Sequence, residues 1–229
     1  MARRTKEAAL ETRNRILDTA EQVFLKKGVS RTSLADLADA AGVTRGAIYW
    51  HFKNKADLFD AMMQRVCLPM EEMPARARGD AADDPLAGVR SCALRVLHRL
   101  TTDPQCQRVF EISRHKVEYV DEMEQLRERH IECRSECLAH IERGLRAAAK
   151  KGLLAPSVNP RLAAVGLHAL VDGLITNWVL DPKYLPLAKA AAPLIDGYIN
   201  GLRAPRTRPA LAVVGRPKTG AAGKLKRSA

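Results

Sequence analysis

A chain of 229 residues with 4% aromatics and few β-branched runs is long enough for one large core or two small ones, and it favours an all-α fold. The formal net charge of +12 collects at the ends: residues 1–66 hold 12 basic and 8 acidic side chains, residues 67–202 hold 18 of each, and residues 203–229 hold 8 basic and none acidic, so the ends suit a polyanion. No run approaches the ~18–20 apolar residues of a membrane span and the N-terminus lacks a signal peptide's apolar core, so a cytoplasmic location is expected, and in that reducing compartment the five cysteines, an odd number, are expected as thiols rather than a disulfide framework.

Arg3, Arg4 and Lys6 open the chain as an arm expected to be disordered, either a solvated terminus or a contact for phosphates or a minor groove. A helix follows from about Ala8 to Lys27, with Ile16, Leu17, Ala20, Val23 and Phe24 in one stripe and Lys26, Lys27 and Gly28 as its stop. Thr32 to Asp57, TSLADLADAAGVTRGAIYWHFKNKAD, has the pattern of a helix-turn-helix. Leu34, Leu37, Ala38 and Ala41 form one apolar face, Gly42 can take the positive φ of a turn, and a second short segment opens at Thr44. Ser33 and Thr44 are N-caps, Ala38 allows close approach, and Ile48 and Phe52 pack inward at i, i+4. The first helix is the third wall of this small domain, residues 1–53.

Asn54 caps a connecting helix over 54–73, amphipathic through Ala56, Leu58, Phe59, Met62, Met63 and Val66. After a loop at Gly79–Asp84, helices are expected at about Leu86–Thr101 and Pro104–Val117, the second restarted by Asp103-Pro104. A long helix spans about Val120–Leu153, with Met123, Leu126, His130, Cys133, Cys137, Ile141, Leu145 and Ala148 in one stripe and Gly152 at its end. Asn159-Pro160 opens a helix to about Val179 that is apolar on nearly every side and must be covered all round, most easily by a second copy of itself. Gly166 and Gly173 lie on one side of it and would allow close approach; ordinary monomer core is the alternative. In the last helix, about Leu185–Leu202, Pro193 predicts a kink or a late start. The expectation is about nine helices, with residues 54–202 forming the larger domain and residues 203–229 a disordered basic tail.

In a helix-turn-helix the second helix enters the major groove, and Arg45 is the side chain there whose guanidinium fork suits guanine. Gly46 and Ala47 let the backbone approach thymine methyls, and Tyr49, Trp50 and His51 are too polar or too large for a core already supplied by Ile48 and Phe52. His130, Cys133, Cys137 and His140 share one helix face at a metal-like spacing. Cys133 and His140 are separated by roughly 10 Å of helical rise, so the four cannot surround one ion, and core or pocket lining is the expected role, with a thiol sensor or a two-ligand metal site as alternatives. No metal, cofactor or catalytic constellation is expected, and the chain is not read as an enzyme. Asp172, inside the most apolar helix, is either a structural pair with His115, Arg114 or another cation, or the polar anchor of an apolar ligand cavity.

The run VTRGAIYWHFKNKADL, with the helix before it, resembles the TetR family of bacterial one-component transcriptional regulators, and the match of signature grade covers about the first quarter of the chain. MARRTKEAALETR, YVDEM and LVDGLI are similar to the multidrug-efflux repressors of the AcrR/TtgR type. The resemblance implies that Thr44, Tyr49, Trp50 and His51 hold phosphates, as does Lys55 with help from its helix dipole. It also implies an effector pocket at Val171, Asp172, Leu174 and Ile175, with another wall at Phe110, Ile112 and His115. Phe110 and Arg114 depart from the related pattern, which has a polar residue and a histidine there, so ligand preference is not carried over. The implied function is repression of a multidrug-efflux operon by a homodimer, through helices 160–179 and 185–202, bound to a pseudo-palindromic double-stranded operator and released by small amphipathic or aromatic effectors. The rivals are a thiol- or metal-responsive regulator on the same scaffold and an architectural DNA-coating protein that uses the tail.

Overall fold

The computed structural model describes residues 2–71, 84–118 and 124–204, with the side chains of all of these but 2–5 and 67–71. Among the described residues there are nine α-helices and no strand: α1 (Ala2–Lys27), α2 (Leu34–Ala41), α3 (Arg45–His51), α4 (Lys55–Glu71), α5 (Pro85–Thr102), α6 (Pro104–His115), α7 (Glu124–Lys150), α8 (Pro160–Leu180) and α9 (Leu187–Leu202). Met73, the loop over 79–83, the YVDEM run at 119–123 and the tail from 205 onward lie outside the described residues.

The first three helices close on one core. Ile16, Leu17, Ala20 and Phe24 of α1 are fully buried together with Leu37, Ala38, Ile48 and Phe52. α1 begins at Ala2, six residues before the expected start, so the arm carrying Arg3, Arg4 and Lys6 is helical backbone. The reason is local: residues 2–10 contain neither glycine nor proline and are rich in alanine, arginine, lysine and glutamate, so a helix anchored by its later turns propagates backwards. α1 stops at Gly28, whose φ of 84° turns the chain while its N–H donates to the Phe24 carbonyl at 2.8 Å.

Capping chemistry accounts for most of the remaining boundaries. Ser33 and Asp36 form a reciprocal capping box at α2, and Gly42 ends that helix at φ 64°. Asn54 Oδ1 accepts from the Asp57 N–H at 2.8 Å to start α4. Asp84-Pro85, Asp103-Pro104 and Asn159-Pro160 repeat one device at α5, α6 and α8: the acid or amide accepts two backbone N–H groups, and proline fills the first helical position. α9 lacks a side-chain cap and runs from Leu187 through Pro193 without interruption.

In the larger domain α5 is central, packing on α9, α7, α6, α8 and α4. Gly144 lets α7 meet Val89 of α5, and the strand-like pairing of Leu154 with Arg203 ties the α7–α8 loop to the end of α9. α8 packs on α7, α6, α9 and α5, yet it buries only Ala163, Ala164, Leu167 and Ile175. Leu162 and Leu180 remain 69% and 68% exposed. Contrary to the expectation from sequence, α8 is long and apolar enough to match a membrane span, and most of the matching window is unburied in one chain. One chain therefore covers only one side of it. Gly166 is not open to a second copy, because Tyr198 of α9 fills it and its hydroxyl donates to the Ala163 carbonyl at 2.8 Å; Gly173 has open space above it.

Candidate nucleic-acid interface and effector pocket

α3 is seven residues long and too short to be stable alone, so its surroundings must hold it. Thr44 accepts from the Ala47 N–H at 3.1 Å, while Ile48 and Phe52 anchor the inner face in the core. The outer face then presents Thr44, Arg45 and Gly46 at the N-terminal end, with Tyr49 and Trp50 one turn later, all exposed. Trp50 is 73% exposed, an uncommon position for an indole. Ala47 is half-buried between the two faces.

His51 is half-buried, edge-on to the Trp50 ring at 4.6 Å between centroids. Burial, and then the charge of Arg13, hold its imidazole below the usual range. Arg13 itself lies over the Phe52 ring at 5.1 Å. Sequence reasoning missed Arg13, although its place three residues before Ile16 on the α1 stripe puts it on the inner side. Lys55 is half-buried, and its ammonium donates to the Ser30 carbonyl at 3.2 Å, which ties the start of α4 to the α1–α2 loop.

The seven residues expected to face an effector come together where α6 meets α8, but most of them are packed. Phe110, Ile112 and Ile175 are buried, and Val171 and Leu174 lie against the same core. His115 Nε2 is 3.0 Å from the Thr176 carbonyl oxygen. Asp172 accepts from Arg114 Nη2 at 2.5 Å, so the pairing with Arg114 weighed from sequence is present. Arg114 Nη1 is 3.3 Å from His130 Nε2. Burial, followed by Arg114, depresses His130, and burial also depresses His168 against the opposing pull of Asp172. The result is a polar knot of Arg114, Asp172, His130 and His168 at the edge of an apolar interface.

A cleft of about 40 Å3 opens nearby, lined by Phe59, Asp60 and Met63 of α4, Ser113 and Val117, and Leu126, Arg129, His130 and Cys133 of α7. None of the seven effector residues lines it. The α4 periodicity placed Phe59 and Met63 inward, but only the packing shows which helix faces them. Arg129 bridges Asp60 from α7 to α4 at 3.1 Å. This volume is far below the ~300–1,000 Å3 of sites for drug-sized ligands, so such a molecule would have to part these helices.

The cysteine–histidine stripe divides. His130 and Cys133 line the cleft, whereas Cys137 and His140 are exposed, contrary to core or pocket lining for all four. Helical period fixes which side a residue takes, but the middle of α7 is largely exposed between buried Leu126 near its start and buried Leu145 and Ala148 near its end. Among the described residues no three His, Cys, Asp or Glu side chains gather to hold a metal ion. Burial pushes the Cys106 thiol up to about 12 and raises that of Cys92, the opposite of a reactive thiolate.

Two family models cover most of the chain: "Bacterial regulatory proteins, tetR family" matches residues 16–62, and "MAATS-type transcriptional repressor, C-terminal region" matches residues 84–204. The HTH-type transcriptional regulator TtgR of Pseudomonas putida is 39% identical over 203 residues, 89% of this chain and 97% of the relative. The crystal structure of NalD, the secondary repressor of the MexAB-OprM multidrug efflux pump in Pseudomonas aeruginosa, superposes with a TM-score of 0.78 at 36% identity, covering 86% of this chain and 98% of that one. The SmeT–triclosan complex gives a TM-score of 0.76 at 30% identity over 92% of this chain and 100% of that one. With a sealed three-helix reading head, an all-helical second domain and these matches along nearly its whole length, the chain belongs to the TetR family of DNA-binding transcriptional regulators.

Proposed function

We propose that this protein is a cytoplasmic homodimeric repressor that binds a pseudo-palindromic operator and is released by small amphipathic or aromatic molecules, and that it controls a multidrug-efflux operon. The observation that carries the reading is α3 itself: Ile48 and Phe52 seal one face while Arg45, Tyr49 and Trp50 stand exposed on the other. Arg45 reads a guanine, and Gly46 and Ala47 admit the backbone to the groove. Thr44, Tyr49, Trp50, His51 and Lys55 contact phosphates, Lys55 by exchanging or sharing its bond to Ser30. The exposed Leu162, Val165 and Leu180 on α8, with Leu194 on α9, support dimerisation through these two helices. The efflux target rests on the similarity to NalD and TtgR.

The effector enters where α4, α6, α7 and α8 surround the knot of Arg114 and Asp172. Phe110, Ile112, Val171, Leu174 and Ile175 supply apolar wall, and His115 with Asp172 supplies polar contacts, once the ligand displaces the Arg114 ion pair or binds beside it. Footprinting on DNA upstream of the gene, with and without triclosan, tests the whole reading. A symmetric protected site that disappears with the drug is expected. Protection of every sequence alike would favour a DNA-coating protein, and protection indifferent to all amphiphiles tried would remove the effector.

A further inference from the structure

Glu21 is the one glutamate among the described residues that is fully buried, at 1% exposure, and nothing in the reading of DNA or effector uses it. It belongs to α1, but its three partners come from elements beyond the reading head. Gln105 Nε2 of α6 donates to Oε1 at 2.7 Å, Arg65 Nη1 of α4 to the same oxygen at 3.3 Å, and Arg108 Nη2 of α6 to Oε2 at 3.3 Å. Arg65 also holds Asp18 of α1 at 2.7 Å. Its own backbone carbonyl and that of Val66 are gripped by Arg99 of α5, and Arg99 is fixed in turn by Asp103, the residue that caps α6. Eight residues after Glu21, the Val29 N–H donates to the Lys116 carbonyl at the far end of α6 at 2.9 Å. α1 and α6 thus lie side by side in the same sense, joined at both ends.

We propose that Glu21 is the positioning residue through which the larger domain sets the attitude of the reading head, by a direct α1–α6 contact that supplements the covalent link through α4. The inference rests on α3 binding an operator. A buried carboxylate is costly unless it keeps its partners, so a displacement of α6 larger than these side chains can take up is carried to α1. α6 also carries Arg114 and the expected effector wall, so a ligand that shifts α6 moves Glu21's partners with it. The Arg108 Nε is buried and has no hydrogen-bond partner among the described residues. The fork therefore engages Glu21 with one arm, and a small slide of α6 along α1 would exchange that single contact for a two-point one. Two such arrangements on one carboxylate are what a two-position contact requires.

The test compares Glu21→Gln, Arg108→Met, the double variant, and Lys150→Met as a control for lost charge on an exposed site, all checked as folded by circular dichroism. Arg108 lies outside the reading head and pairs with Glu21, so an operator effect of Arg108→Met that is absent from the Glu21→Gln background travels through α1 rather than through α4. Arg108→Met is expected to weaken operator affinity at least about fivefold, the low end of ordinary coupling between sites, with the double variant no weaker than the worse single one and the control unchanged. A second readout needs no DNA: hydrogen exchange at the Val29 amide should accelerate in Glu21→Gln, because the seam loosens at its distant end. Multiplicative effects of the two substitutions on operator affinity, or unchanged Val29 protection, would overturn the proposal. If the wild-type protein selected no DNA sequence, the operator reading would fail, and the exchange of Val29 would still decide whether Glu21 holds the seam.

Discussion

Arg45 stands at the exposed N-terminal end of a helix whose other side is locked by two fully buried side chains, so substituting it leaves the scaffold untouched. Arg45→Ala should relax sequence preference at one operator position by about 1–3 kcal/mol, whereas Tyr49→Phe should weaken all sequences alike. Competition titrations against operator variants check this, and equal weakening of every sequence by Arg45→Ala would reassign it to a phosphate. The histidines supply a second prediction at this scale. His51, His130 and His168 are all held below the ordinary value of 6.5, chiefly by burial. Above that value the folded and unfolded chains are equally unprotonated there. As pH falls through it the unfolded chain takes up protons first, so stability is full above about pH 6.5 and declines towards the depressed folded values. Urea midpoints should drop between pH 7.5 and 5.5, and less so in His168→Gln; identical drops would discard the assignment.

Among the elements, α2 and α3 are the most exposed to failure, since eight and seven residues cannot hold a helix without caps and a core. Ser33 carries both halves of a capping box, and Ser33→Ala should cost about 1 kcal/mol, measurable as a lower denaturation midpoint. The two glycines of α8 should part company. A Cβ at Gly166 would lie 2.3 Å from the Tyr198 hydroxyl, so Gly166→Ala must push the phenol off the Ala163 carbonyl and should destabilise by about 1–3 kcal/mol. Gly173 has nothing within 4 Å, so Gly173→Ala should be neutral or should stabilise the helix by up to about 1 kcal/mol. Thermal melts of the two variants compare them directly, and equal effects would contradict the packing described.

For the whole molecule the question is what covers α8. Its apolar composition and mostly unburied window leave Leu162 and Val165 in water in a single chain, and an uncovered stripe of that kind calls for a second surface. Leu162→Glu should convert a dimer into monomers by sedimentation and abolish tight operator binding, because two reading heads must meet successive major grooves about 34–36 Å apart. A dimer that survives both this substitution and Leu194→Glu would place the seam elsewhere.

Most of the helices and the reading head could be deduced from the sequence because their determinants are local. Caps, glycine turns, proline at first positions and apolar period act within one or two turns, so Ser33, Gly42, Thr44, Ile48, Phe52 and the Asx-Pro pairs announce their roles without reference to distant residues. The start of α1 was misjudged for a related reason: basic residues suggested a solvated arm, while propensity over a longer window favoured helix. Contacts between elements were not deducible in this way. Period shows that Cys133 and Cys137 share a side with Leu145, but not that the middle of α7 is left uncovered, so that Cys137 is exposed while Leu145 is fully buried. Nor does anything near Asp172 in the chain select Arg114 over His115, or anything near Glu21 announce Gln105 and Arg108, more than eighty residues away. Those pairings depend on which helices come side by side, and that is settled only when the whole apolar surface of the chain competes for burial at once.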